Sequence, residues 1–116
     1  MAEKLCNLSK NGSNGIESTT VKDVNNNNIT INKIGNVVQI YVSQTYNVTA
    51  STNYQIFTIP QGYRPITLCG FAVVISAING QPALLQIDAN GRVTLNGWVH
   101  SGTTAVAQSF VYLTTE

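Results

Sequence analysis

Charge is what this chain has least of. Only 9% of its 116 residues are charged, against about 25% in an average globular protein, and they nearly cancel to a net +1. No Lys/Arg cluster exists to neutralise phosphates, which excludes a nucleic-acid partner. There is one Trp, one His and two Cys. A single His and two distant Cys cannot assemble a tetrahedral zinc site within one chain, so no metal or other cofactor is expected. The cysteines make no disulfide framework either: Cys6 sits in a polar head segment, and Cys69, in the most apolar run, reads as a buried free thiol. Carboxylates are too dispersed for glycoside hydrolysis, which needs two of them about 5–10 Å apart. Glu3, Glu17 and Glu116 belong to terminal segments and Asp23 to an Asn run, leaving Asp88 alone in a strand-like region. Ser101 adjoins His100, but neighbours on a strand point to opposite faces. No catalytic residue is assigned, and a non-enzymatic protein is expected. No apolar run is long enough to span a membrane, and the opening "MAEKLCNLSKNGSNG" lacks the apolar core of a secretion signal.

What the chain does have is Asn, Thr, Ser and Gln to carry its solubility, and alternation. Residues 1–18 are polar and aperiodic, a mobile arm or linker; residues 19–116 form one head domain. In "NITINKIGNVVQIYVSQTY", Ile29 and Ile31 alternate with polar residues, "IGN" marks a turn, and Val38, Ile40 and Val42 resume the alternation. "YQIFTIP" is a strand stopped by Pro60. "TLCGFAVVISAI" is apolar on both faces and must be covered on both, with Asn79-Gly80 as its turn. "PALLQID", "RVTLNGWVH" and "VAQSFVYLT" complete the set. Seven or eight short strands with regular turns predict an all-β fold, an antiparallel β-sandwich of jelly-roll type.

The segment "DANGRVTLNGWVH" (88–100) holds the only Trp and His. A two-residue Asn90-Gly91 loop would mix apolar and polar residues on both faces. A type I turn over Asp88-Ala89-Asn90-Gly91, with Gly91 left-handed, instead sets Ile87 against Val93, Gln86 against Thr94 and Leu85 against Leu95, which sorts the faces. Leu85, Ile87, Val93, Leu95 and Val99 are then core. Gln86, Asp88, Arg92, Thr94, Asn96, Trp98 and His100 face outward. An indole, an amide, a charge pair and an imidazole suit sugars, whose CH patches stack on aromatic rings while planar polar groups take the hydroxyls. The candidate saccharide contacts are Trp98, His100, Asp88, Arg92, Asn96 and Thr94. The same face could equally be a subunit interface or ordinary solvated sheet.

Taken in order, "INKIGNVVQIYV", "FTIPQGYRP" and "LQIDANGRVTL", with the closing "VYLT", resemble the C-terminal head domains of bacteriophage tail fibres and receptor-binding proteins, over about residues 29–114. The short start departs from that pattern, since a fibre carries a long shaft ahead of its head. The resemblance implies a homotrimer at the tip of a phage tail in the virion, made in the host cytoplasm. It implies binding to host cell-surface saccharide and a junction to an upstream tail or baseplate protein through the N-terminal region. No sugar-contacting residues carry over from it. The alternatives are a structural virion or assembly module without a ligand, and a free-standing lectin-like module. In "GYRP", Pro65 holds Arg64 extended to cap carbonyls or pair across subunits. One face of "GFAVVISAI" would meet neighbouring copies around a threefold axis.

Overall fold

The computed structural model describes residues 15–75 and 81–115, with the side chains of 72–75 and 81–82 outside that description. Among the described residues there are eight strands and no helix: β1 (Glu17–Lys22), β2 (Asn28–Ile34), β3 (Val37–Val48), β4 (Asn53–Thr58), β5 (Cys69–Ile75), β6 (Gln81–Ile87), β7 (Arg92–Asn96) and β8 (Gly102–Leu113). They form two antiparallel four-stranded sheets, ordered β1-β2-β3-β8 and β4-β7-β6-β5. The sheets share one core, with β1 against β4 at one flank and β5 against β8 at the other. The arrangement is sandwich-like, as the alternation predicts.

It is not a jelly roll. The second sheet is a Greek key, three hairpin-linked strands with β4 returned beside β7, but the first is a meander β1-β2-β3 extended by β8. A jelly roll needs two Greek keys. Tight hairpins at β1–β2 and β2–β3 hold three successive strands in one sheet, and no local signal reveals that β8 returns to β3.

The inward rows follow period two. Ile29 and Ile31 of β2, Val38, Ile40, Val42, Tyr46 and Val48 of β3, and Val106, Phe110 and Tyr112 of β8 meet Leu85, Ile87, Val93 and Leu95 from the other sheet. Between the sheets, Phe71 and Phe110 pack edge to face with centroids 5.0 Å apart, tying β5 to β8. β4 departs from alternation. A bulge between Gln55 and Phe57 turns both Ile56 and Phe57 inward, and the Ile56 carbonyl accepts from Val24 N–H at 2.9 Å. β1 starts at Glu17, which pairs with Lys33, so Glu17 and Ser18, assigned above to an arm, belong to the first sheet. Residues 1–14 of that arm and Asn79-Gly80 lie outside the described residues.

The "PQGYRP" segment closes one end. Lys33 occupies a core row of β2 and is buried, yet its ammonium reaches out to donate to the Gly62 carbonyl at 2.8 Å and lies 5.6 Å from the Tyr63 ring centre. The Tyr112 hydroxyl donates to the Tyr63 carbonyl. Arg64 Nε donates to the Ile59 carbonyl at 3.1 Å, so the guanidinium caps a carbonyl of its own chain.

Candidate functional site

The β6–β7 hairpin has the predicted register. Ile87 pairs with Val93, Gln86 with Thr94 and Leu85 with Leu95, and Gly91 is left-handed with φ +84°. A Cβ at Gly91 would drive into the Ile59 carbonyl oxygen, so the close passage of the β4 end demands glycine there as much as the turn does. Asp88 Oδ1 accepts from the Asn90 and Arg92 amides at 2.9 and 3.0 Å. Its Oδ2 accepts from Arg92 Nε at 2.8 Å. Burial pushes the Asp88 carboxyl up, but the bonds from Arg92 and Asn90 outweigh it and hold it below the usual carboxylate range. Asp88 therefore acts first as the clamp of its own turn and as the holder of Arg92.

This hairpin edges a groove of about 330 Å³ on the outer face of the second sheet. Asp88, Arg92 and Thr94 line it together with Gln86 of β6, Asn53 and Gln55 of β4, and Leu68 from the segment before β5. Its floor is built by cross-strand register: Gln55 and Gln86 stand opposite Thr94 from either side. Asn96 lies one outward position beyond Thr94 and donates to Asn53 Oδ1 at 2.9 Å, which extends the amide row past the groove. Asn53 and Gln55 were not among the expected contacts. The alternation of "NYQ" carries their outward direction; the pairing of β4 with β7, about forty residues away, carries their place.

Trp98 and His100 are not on this sheet face. β7 ends at Asn96, and Gly97–His100 form a tight turn closed by His100 N–H to the Gly97 carbonyl at 2.9 Å. A Cβ on Gly97 would strike the His100 carbonyl, so the chain bends where period two would continue it. The consequence reverses one expectation: Val99, placed above in the core, is 78% exposed. Trp98 is left-handed at φ +60°, which is costly for a bulky residue. It is held by its N–H on Asn96 Oδ1 at 2.8 Å and by its carbonyl, which accepts from Ser51 N–H at 2.6 Å. The residue is 51% exposed, so it is not core. Through Asn96 and Asn53 it adjoins the amide end of the groove.

Among the described residues no three His, Cys, Asp or Glu come together as metal ligands, and Asp88 is the only carboxylate on the groove. Cys69 is free, but half-buried rather than buried; burial pushes its thiol up. Neither the family models nor the curated proteins compared with this chain give a match.

Proposed function

We propose that this protein is a non-enzymatic receptor-binding head, of the bacteriophage tail type that its strand motifs resemble, and that it recognises host cell-surface saccharide as a homotrimer in the virion. The groove on the outer face of the second sheet carries this reading. Its lining joins three amides, a hydroxyl and a self-neutralised Asp88–Arg92 pair to one aliphatic side chain. Planar donors and acceptors around a small apolar patch are the chemistry that sugar hydroxyls and CH faces need. At about 330 Å³ the groove is at the low end of ligand pockets, which run from about 300 to 1,000 Å³, and suits a short saccharide stretch. Weak single sites then gain strength through the several copies on a tail.

In this reading Arg92, Gln86, Thr94 and Gln55 contact the sugar, Asp88 aims Arg92, Asn96 and Asn53 link the groove to the Trp98 turn, and Trp98 offers a stacking face at its end. His100 takes no part. The N-terminal segment joins the upstream tail or baseplate protein. A second reading, a structural virion module that trimerises or caps without a ligand, draws on the exposed apolar side chains of Val37 and Tyr41 on β3 and of Val111 and Leu113 on β8. Labelled protein applied to a glycan array and to candidate host envelopes decides between them. Receptor binding predicts retention that falls at least tenfold in Arg92→Ala and Gln86→Ala. Adhesion that both variants keep at full strength removes the groove, and no adhesion at all favours the structural module.

A further inference from the structure

The groove engages its amides unequally. Asn53 Oδ1 accepts from Asn96 at 2.9 Å, and Gln55 Nε2 donates to the Thr58 hydroxyl at 2.7 Å. Gln86 is half-buried, yet its carboxamide meets no hydrogen-bond partner among the described residues. A partly buried amide with both its donor and its acceptor unmatched is costly until something meets it.

The strand beside Gln86 leaves room for that something. Gly70 of β5 pairs with Gln86, so the two stand next to each other on the same outer face. Gly70 is exposed and its φ is not left-handed. A Cβ there would meet only Leu84 Cδ1, at an ordinary 3.7 Å. β5 runs against β6 from Cys69↔Ile87 to Ile75↔Gln81 without a register shift, so the glycine serves no bulge. Neither backbone nor packing demands glycine at this position. A strand glycine of this kind marks a close approach from outside. Leu68, two residues earlier, is 56% exposed and lines the groove. Gln86, Gly70 and Leu68 thus frame a notch with an amide on one side, an aliphatic side chain on another and bare backbone between.

We propose that this notch holds an acetamido group, so that the saccharide is built on N-acetylated amino sugars. The inference rests on the saccharide reading of the groove and names its ligand class. The acetamido carbonyl accepts from Gln86 Nε2, and the methyl on the same carbon takes the space over Gly70 against Leu68. Gln86 Oε1 then accepts from a ring hydroxyl. A hydroxyl in place of the acetamido group lacks the methyl and leaves the notch unfilled. A free amine, charged at neutral pH, brings donors only. An anionic substituent gains little, because the two charged residues lining the groove, Asp88 and Arg92, already pair at 2.8 Å.

An array of N-acetylhexosamine oligosaccharides, each beside its hydroxyl and free-amine counterpart of the same linkage and length, tests it with the full chain. The acetamido member of at least one set should be retained at least about tenfold more strongly than its counterparts. Gly70→Val fills the notch with a residue that strands favour, and Gln86→Glu removes the donor. Each should remove most of that preference, and Gly70→Val should leave the hydroxyl counterparts within about twofold. Retention that Arg92→Ala abolishes but that is indifferent to the acetyl group overturns this inference and leaves the groove reading standing. An array that retains nothing, or retention that Arg92→Ala leaves intact, overturns both. Should Gly70→Val misfold, saturation-transfer NMR of the parent chain with the retained oligosaccharide decides. The acetyl methyl must receive the most saturation, and ring protons saturated as strongly overturn the proposal.

Discussion

Two hairpin loops of this molecule are built on one five-residue plan and tied off in different places. In Asp23–Asn27 and in Asp88–Arg92, the first residue's N–H donates to the fifth carbonyl (3.0 and 3.1 Å) and its carbonyl accepts from the fourth amide (3.0 and 2.9 Å). Its Oδ1 accepts from the third and fifth amides in both. The fourth residue is left-handed in both, Asn26 at φ +64° and Gly91 at φ +84°. The loops part at Oδ2. That of Asp23 accepts from the Tyr46 hydroxyl at 2.6 Å inside the core; that of Asp88 accepts from Arg92 at the surface. The same local chemistry thus anchors one loop to the interior and offers the other to a groove. What the second oxygen meets decides whether the loop serves stability or binding.

The contrast can be broken at the fourth position first. Gly91→Ala should cost about 3 kcal/mol or more in urea unfolding, because left-handed strain is joined by collision with the Ile59 carbonyl. Asn26→Gly, with no such neighbour required, should stay within about 0.5 kcal/mol. If both changes cost the same, the close passage of β4 is not what demands glycine.

Next comes the buried tie. Tyr46→Phe should destabilise by about 2 kcal/mol, since a buried carboxylate oxygen loses its donor. Acid titration sharpens the same point. Burial pushes the Asp23 carboxyl up, but the Tyr46 hydroxyl and the Asn27 and Asn25 amides more than offset it, so it lies below its ordinary value. Its contribution is therefore complete above the unfolded value of about 3.9 and is lost as pH falls through the folded one. Burial, then Asp23, push Tyr46 well up; that contribution is complete below about pH 10 and is lost at higher pH. Unfolding free energy measured across pH should show both limbs, and Asp23→Asn should flatten the acid limb more than Asp88→Asn does.

The surface tie should show the smallest effect on folding. Arg92→Ala is expected to change stability by less than about 0.5 kcal/mol, as exposed ion pairs contribute little, while abolishing most saccharide retention. A large loss of stability here would mean that the Asp88 loop is structural like its twin.

Several of these features are legible along the chain. "DANGR" announces its turn, and its register follows from sorting the faces. "DVNNN" carries the same Asp-x-Asn spacing, although an Asn run alone reads only as loop. Alternation placed Ile29, Ile31, Val38, Ile40 and Val42 in the core, where they are. It failed where the backbone leaves period two: at the bulge that turns Ile56 and Phe57 inward together, and at Gly97, past which Val99 and Trp98 no longer belong to a strand. Lys33 could not be read as buried, because only the folded "GYRP" segment offers its ammonium a carbonyl and a ring.

The order of the residues alone therefore settled that this is an all-β protein with particular inward rows, since the side-chain period and the turn residues act over a few neighbours. Which strands become neighbours was left to the folded molecule. β4 beside β7, β8 beside β3, and hence the groove's far wall, depend on contacts between residues tens of positions apart. Those contacts are selected by the burial of both sheets at once, which no local pattern records.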